Sequence, residues 1–262
     1  MLRGIDHIVI AVPDLALAQK SYEALGFTVV PGGRHPVGSH NALIALADGS
    51  YIELIAFYEP SPRHKWWVPL QKGGGLVDFC MQTDDLLGDT AAWRRAGVAI
   101  DDPSPLSRVR PDGYQLKWVL SIPREAFKGV APFLIEDETP REERVPRQSR
   151  HPNAVVGIGV LTVVVGDVAA ARGWYEDALG RPGQPIVRTD LDAGGVRFTI
   201  GPHTLELLAP REATSPLTAW LADRGPSPYA ATLTTTAAGR GPLDPGRTLG
   251  ARLSLTAEEK TR

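Results

Sequence analysis

One order of segments recurs along this chain and constrains its fold more than any other feature: a strand, then a helix, then further strands. Residues 5–15 read as a nearly continuous apolar strand closed by a Pro-Asp turn, and the next segment has apolar residues at helical spacing up to Gly26. The same order follows twice more, with Asp85 twelve residues before Gly97 as Asp14 is before Gly26. The chain is therefore predicted to consist of repeated modules.

Each predicted helix begins after an aspartate: Asp14, Asp85 or Asp167. A carboxylate at this place accepts hydrogen bonds from the unpaired backbone N–H groups of the first helical turn. We therefore interpret these three aspartates as helix caps and not as catalytic acids.

Strand-like segments follow each helix. They are FTVV, NALIALA and YIELIAF in the first module, YQLKWVLSI and APFLIED in the second, and PIVRT, GVRFTI and HTLELLA in the third. Residues 228–257 hold two more alternating stretches and are predicted to be a truncated fourth module. The predicted fold class is α+β, with repeated βαβββ modules that form curved, cleft-enclosing mixed sheets and carry their helices outside. A ferredoxin-like βαββαβ fold is the alternative, but three strands after a helix favour the βαβββ module.

The chain divides into two predicted domains. Residues 1–140 would form a domain of two modules, and residues 151–262 a second domain of one full and one truncated module. Residues 141–150, part of a charged and proline-containing stretch, are predicted to link them.

Composition excludes several classes of function. The net charge of −2 gives no basic field for nucleic acid or anionic lipid, and no apolar run reaches the roughly 20 residues of a membrane span. The single cysteine, Cys80, excludes a disulfide framework, and the N-terminal sequence is a poor signal peptide. A cytoplasmic protein with a small-molecule ligand or substrate, and without nucleic-acid or membrane partners, is the expectation.

The sequence resembles the vicinal-oxygen-chelate superfamily, specifically its glyoxalase-like (glyoxalase/bleomycin resistance/dioxygenase) domain proteins. The resemblance covers about residues 4–212, and the segments that carry it include DHIVIAVPDL, GGRHPVGSHNALI, YIELIAF and RVRPDGYQLKW. It implies the fold predicted above and a divalent metal ion in the cleft. It does not imply one reaction, because the superfamily includes isomerases, epimerases, ring-opening dioxygenases, thiol transferases and drug-binding proteins.

The metal ligands implied by this resemblance come from the first and last strands of paired modules. His7 and Glu53 match these positions in the first module, and Asp78 stands at the histidine position of the second. The third module keeps the carboxylate as Glu206 but has Val160 in place of the histidine. Asp78 completes the site if modules one and two pair, and Glu206 completes it if modules one and three pair. Chain order favours the first arrangement, because sequential elements are usually neighbours. One histidine with two carboxylates suits Zn, Ni, Mn or Mg acting as a Lewis acid.

Two further segments carry candidate catalytic residues. The loop from Gly32 to Asn41 offers His40 as a general base and Asn41 as a substrate-polarising amide. A solvated turn, whose polar side chains bond to its own backbone, explains the same residues equally well. Arg108 and Arg110 would share a strand face and could bind a carboxylate or phosphate. Ordinary surface ion pairs are the alternative for these arginines.

Three functional hypotheses follow. The first is a metal-dependent lyase or isomerase acting on a small oxygenated metabolite. The second is a protein that binds a drug-like or aromatic molecule without chemistry, and the third is an extradiol-type dioxygenase. The truncated fourth module also predicts a homodimer, in which a second subunit covers the exposed strand edges of the C-terminal half.

Overall fold

A computed structural model describes residues 1–258, and within that range the chain forms two sheets with helices on their outer faces. The strands are β1 (Leu2–Ala11), β2 (Val30–Arg34), β3 (Ser39–Ala45), β4 (Tyr51–Phe57), β5 (Gly75–Thr83), β6 (Ser104–Val109), β7 (Gln115–Ser121), β8 (Phe133–Asp137), β9 (Val155–Val164), β10 (Gln184–Arg188), β11 (Ala193–Ile200), β12 (His203–Pro210), β13 (Ser227–Thr235), β14 (Gly241–Pro242) and β15 (Leu253–Ala257). The α-helices are α1 (Leu15–Ala24), α2 (Trp67–Gln71), α3 (Leu86–Arg95), α4 (Arg141–Arg144), α5 (Val168–Leu179) and α6 (Pro216–Arg224).

Modules one and two close into an eight-stranded barrel in the order β1-β4-β3-β2-β6-β7-β8-β5. Within each module the first strand runs parallel to the last, and β1 joins β5 in antiparallel pairing. The far side of the barrel is closed where Arg34 of β2 pairs with Val109 of β6. The structure thus pairs module one with module two, as sequential elements usually pair.

The second sheet repeats the central part of this arrangement but stays open. Its order is β10-β11-β12-β9-β13-β15-β14. Strand β9 pairs parallel with β12 and antiparallel with β13, as β1 does with β4 and β5. The fourth module has no helix after β13, and its β14 is two residues long, so too few strands remain to close a second barrel. The predicted α+β fold of βαβββ modules is confirmed.

The three predicted helix caps are present. The side chains of Asp14, Asp85 and Asp167 accept hydrogen bonds from Leu17 N, Gly88 N and Ala170 N, each at 2.9 Å. Helix α5 ends at Gly180 in the left-handed conformation that glycine adopts most easily.

The structure differs from the sequence expectation at two strands. The segment FTVV was predicted as a strand, but β2 begins only at its last residue, Val30. Phe27 N donates to Tyr22 O, so Phe27 belongs to the turn that ends α1. Strand β6 was not predicted as a separate element, since its Ser-Pro-Leu-Ser-Arg-Val sequence lacks a clear alternating pattern.

The two sheets pack together through a shared apolar core and through polar contacts. Trp93 of α3 packs edge-on against Tyr175 of α5, with ring centroids 5.0 Å apart. Ile5 N donates to His203 Nδ1 of the second sheet at 2.9 Å. Residues 141–150 connect the sheets, and their helix α4 also contacts the barrel. The proposed division into domains at residues 140 and 151 stays a prediction.

No helix within residues 1–258 is both long enough and apolar enough to cross a membrane. The predicted dimer would cover the edges of the second sheet, which are formed by β10 and the very short β14. The homodimer and the cytoplasmic location stay predictions.

Candidate active site

The barrel encloses a cavity of about 440 Å³. Its wall combines apolar side chains from several strands with a small number of charged and polar groups. The apolar residues include Ile55, Leu106, Trp118, Leu120, Phe133 and Ile135. A mostly apolar cavity with a few converging polar groups is the usual form of a small-molecule site.

His7 and Glu53 face each other in this cavity. His7 Nε2 lies 3.5 Å from Glu53 Oε2, and both side chains are buried. Strand pairing places them there: β1 and β4 run parallel, with Val9 beside Glu53, so that His7 lies two residues away on the same strand face. The His7 ring also stacks on Tyr51 at a centroid distance of 4.5 Å.

The neighbouring residue, Asp6, orients the histidine. His7 Nδ1 lies 2.6 Å from Asp6 Oδ1, beside an irregularity in the β1–β5 register between Ile5 and His7. Asp6 is also ion-paired with Arg141 and Arg144. Burial alone would raise the pKa of Asp6, but the charge of Arg144, the hydrogen bond with His7 and the charge of Arg141 hold it well below the usual range. Since an ionised carboxylate only accepts, Nδ1 donates to Asp6 and Nε2 is left facing Glu53 in the cavity.

Asn41 joins Glu53 to Arg108. Its Nδ2 donates to Glu53 Oε1 at 2.6 Å, and its Oδ1 accepts from Arg108 Nη1 at 3.2 Å. The amide is therefore fixed at both ends, which aims the second oxygen of Glu53 at His7. Asn41 therefore positions the carboxylate in this structure, and its role as a substrate-polarising amide stays a prediction.

Arg108 is a buried cation without a charged partner in the part of the chain that the structure describes. Its side chain is only 3% exposed, and its Nη2 donates to Arg144 O at 3.0 Å. Its Nε is buried and has no hydrogen-bond partner within residues 1–258. Burial lowers the pKa of Arg108, but a guanidinium stays charged at any physiological pH. Because an unpaired buried cation is costly, this residue is suited to an anionic ligand group.

Asp78 is committed to other groups. Its Oδ2 accepts from Trp66 Nε1 at 2.8 Å and lies 2.8 Å from Lys65 Nζ. Its Oδ1 accepts from Phe79 N at 2.9 Å. Both oxygens of this predicted metal ligand are therefore already bound within the protein.

These residues fit a metal ion only in part. His7 and Glu53 provide two donor atoms, whereas a catalytic zinc site generally uses three protein ligands. A cluster of Asp6, His7 and Cys80 also brings ligand atoms within 4.8 Å of one another. However, Asp6 is already paired with two arginines, and burial raises the pKa of the Cys80 thiol well above its usual value. The thiolate that binds metals is thereby disfavoured.

The remaining predicted residues lie outside this arrangement. The His40 ring packs edge-on against Tyr58 and does not line the cavity. Arg110 pairs with Asp112 and Glu143. Glu206 lies in the second sheet, where it is ion-paired with Arg188 and Arg197.

His35 takes the place in the cavity wall that the sequence suggested for His40. Its Nδ1 lies 3.0 Å from Ser39 Oγ. Burial lowers the pKa of His35 to about 4; the charge of Glu53 opposes this shift, and the charge of Arg108 adds to it. His64, at the same cavity, has its pKa lowered to about 4 by burial and by Lys65. Both rings are therefore neutral at pH 7.

Besides the two histidines, the sequence interpretation missed three charged residues of this site. Asp6 is a second polar residue in the apolar first strand, next to His7, and this could have marked it as a site residue from the sequence. Lys65 precedes two tryptophans, a combination suited to a cation beside aromatic rings. Arg144 was assigned to the linker, and nothing in its sequence context distinguishes it from the exposed arginines around it.

Paired βαβββ modules that close around a cavity define the vicinal-oxygen-chelate class of proteins. Residues 5–179 match the family described as "Glyoxalase-like domain". Because this match spans more than half of the chain, the protein belongs to that family. None of the curated proteins compared with the chain matches it.

Solved structures show the same fold at low sequence identity. A hypothetical protein from Staphylococcus aureus is 13% identical, with a TM-score of 0.71 and coverage of 97% of this chain and 99% of that one. A triple mutant of 4-hydroxymandelate synthase from Streptomyces coelicolor is 15% identical, with a TM-score of 0.62 and coverage of 90% and 72%. A fusion of a xylose isomerase-like TIM barrel with 4-hydroxyphenylpyruvate dioxygenase is 14% identical, with a TM-score of 0.54 and coverage of 91% and 37%. These similarities concern the fold alone.

Proposed function

We propose that the barrel cavity is the active site of a lyase or isomerase that moves a proton next to a carbonyl group of a small, largely apolar carboxylic acid. The observation that carries this proposal is the opposition of His7 Nε2 and Glu53 Oε2 at 3.5 Å in the cavity. An imidazole nitrogen and a carboxylate oxygen at this distance can pass a proton to and from a substrate atom held between them. The proposal keeps the lyase or isomerase hypothesis and assigns the proton transfer to this pair.

The expected chemistry is a proton exchange between substrate and protein. Glu53 takes a proton from the carbon beside the carbonyl, and the C–H electron pair becomes part of an enolate. His7, once protonated on Nε2, returns a proton to the enolate, at the same carbon in an epimerisation or at another atom in an isomerisation. Asp6 stabilises the imidazolium form of His7 through Nδ1.

Arg108 supplies the proposed specificity for an acid. The side-chain amide of Asn41 bridges Arg108 and Glu53 by hydrogen bonds, so the two residues lie close together. A carboxylate that pairs with Arg108 would thus stand a few atoms from the reacting carbon, as in a 2-oxo acid. The apolar wall formed by Trp118 and Leu120 favours an aliphatic or aromatic remainder.

The family resemblance implies that His7, Glu53 and Asp78 hold a divalent ion, which would act as a Lewis acid. Because Asp78 is paired with Lys65 and Trp66, only His7 and Glu53 of these three residues are left to ligate a metal ion. The proposed proton transfer therefore uses no metal ion.

The experiment is hydrogen exchange in D₂O. We expect the wild-type protein to accelerate deuterium incorporation at C3 of phenylpyruvate or 4-methyl-2-oxopentanoate above the buffer rate, as followed by proton NMR. His7→Gln should reduce the enzymatic rate by about 100-fold or more, the usual effect of removing a general acid–base group. His40→Gln is the matched control and should keep the rate. No acceleration by the wild-type protein with 2-oxo acids would contradict the proposal.

A binding protein without chemistry is the second candidate. The apolar cavity and the prior commitment of Asp78 to Lys65 favour it. Saturable binding of phenylpyruvate without any enhanced exchange would support this role. An extradiol-type dioxygenase would need two histidines and a carboxylate around iron, and the facing pair supplies one of each.

A further inference from the structure

The strand registers identify the module-two counterparts of His7 and Glu53. In module one, His7 lies two residues before Val9, which pairs with Glu53. In module two, Asp78 lies two residues before Cys80, which pairs with Phe133. Asp78 on β5 therefore corresponds to His7 on β1. Phe133 on β8 corresponds to Glu53 on β4.

Lys65 lies between these two counterparts. Its Nζ is 2.8 Å from Asp78 Oδ2 and 3.9 Å from the centroid of the Phe133 ring. The lysine side chain is 15% exposed and lines the cavity. The Phe133 ring is in turn 5.3 Å from the His7 ring, so the ammonium group belongs to the same part of the cavity as the facing pair.

The chemistry of the two counterparts suits an ammonium ion better than a divalent metal. Phe133 offers a π face, which attracts a monovalent cation but gives a metal ion no donor atom. Asp78 supplies one negative charge, which balances one ammonium. Trp66 Nε1 donates to the same carboxylate oxygen and fixes the side chain of Asp78 beside the lysine.

We propose that the Lys65 ammonium takes the place of the divalent cation in this cavity. Held by Asp78 and Phe133, it provides the positive charge that stabilises a substrate oxygen on which negative charge develops. This electrostatic role rests on the proposed proton-transfer function, whereas the replacement of the metal does not. A fixed ammonium in a largely apolar cavity acts without the ligand set that a metal ion needs.

The replacement is tested by metal titration, which needs no substrate. Isothermal titration of the wild-type protein with Zn²⁺ or Mn²⁺ at pH 7.5 should show no one-equivalent binding at the cavity. Lys65→Ala should remove the ammonium that competes with a metal ion for Asp78. This carboxylate, still hydrogen-bonded by Trp66 Nε1 and Phe79 N, could then join His7 and Glu53 in binding the ion. The substitution should thus tighten the binding of one equivalent by at least about 10-fold, the order by which partners of ligating groups change metal affinity. Lys65→Gln serves as a second variant if the alanine variant does not fold.

Two controls locate the effect. Lys128→Ala removes another lysine at the cavity without freeing Asp78, and should gain no metal affinity. The double variant Lys65→Ala/Asp78→Asn should lose the affinity gained by Lys65→Ala. One equivalent of metal in the wild-type protein that disappears in His7→Gln would overturn the replacement. So would a folded lysine variant without any gain.

The electrostatic role has a separate readout. If the wild-type protein catalyses exchange of phenylpyruvate, Lys65→Ala should lower that rate by at least about 10-fold in metal-free buffer, since a donor to a developing oxyanion is commonly worth more than this. An unchanged rate would overturn the electrostatic role and leave the metal result intact. Absence of exchange in the wild-type protein would instead count against the proposed function alone.

Discussion

The closed barrel and the open second sheet use the same strand pairings but differ in what surrounds one glutamate. Glu53 pairs with Val9 of β1, and Glu206 occupies the matching place beside Thr162 of β9. Glu53 faces a histidine inside the cavity, whereas Glu206 is neutralised by Arg188 and Arg197. A repeated module therefore preserves the backbone position of a carboxylate, and its chemistry depends on the residues that the neighbouring strands bring to it.

The largest expected effect concerns the arginines of the two sheets. Arg144→Leu should lower the free energy of unfolding by about 3–5 kcal/mol, because it removes a buried guanidinium that pairs with both Asp6 and Asp137. Arg188→Leu should cost about 1 kcal/mol or less, since Arg188 is partly exposed and Glu206 keeps Arg197. Urea denaturation of both variants measures the difference. Equal losses would contradict the predicted difference between the buried Arg144 and the partly exposed Arg188.

The contrast between the two glutamates can be measured directly. Glu53→Gln should reduce exchange of a 2-oxo acid by about 100-fold or more, because an amide cannot accept the substrate proton. Glu206→Gln should leave the exchange rate within twofold and lower stability by about 1–3 kcal/mol through weaker bonds to its arginines. A comparable loss of activity in both variants would place the second sheet in the reaction.

Arg108 tests whether the barrel distinguishes acids from neutral ligands. Arg108→Gln should weaken the binding of phenylpyruvate by roughly 10–100-fold, since a hydrogen bond to a charged group contributes about 1.5–3 kcal/mol. The binding of the neutral ketone phenylacetone should change little. Titration calorimetry with both ligands gives the comparison. Equal weakening of the two would mean that Arg108 supports the cavity wall and does not bind the carboxylate.

The buried histidine of the barrel should give the wild-type protein a pH-dependent stability. The pKa of His35 falls from 6.5 in the unfolded chain to about 4 when folded, so the unfolded state binds its proton first as the pH falls. The stability contributed by neutral His35 is thus complete above pH 6.5 and is lost between pH 6.5 and 4. The loss amounts to about 3 kcal/mol at 1.36 kcal/mol per pKa unit. Denaturation curves of His35→Gln should be flatter than those of the wild type over this range; parallel curves would contradict the assignment.

The smallest expected effect should be the same in both sheets. Asp14→Ala in the barrel and Asp167→Ala in the second sheet should each cost about 1 kcal/mol, because both caps accept one backbone N–H at the same distance. Thermal or urea denaturation measures both. Very different losses would show that closure of the barrel changes the energetics of the helices packed outside it.

The sequence by itself determined the repeated unit, its helix caps and the strand positions of the candidate ligands. Apolar periodicity and the spacing from Asp14 to Gly26 are local properties, and burial of one face of each element enforces them. His7 and Glu53 each stand out in the local sequence as a polar residue in an apolar strand, and the family resemblance implied that they act together. The pairing of modules one and two was favoured by chain order and left open until the strands were placed.

Only the tertiary structure decided which polar groups are free. It bound Asp78 to Lys65 and Trp66, turned His40 away from the cavity, and brought Arg144 from a charged connector to Asp6. These outcomes depend on contacts between residues as far apart as 138 positions, for which local pattern carries no signal. A side chain's chemistry in a cavity is set by the charges and hydrogen-bond partners around it, and those are fixed only when the barrel closes.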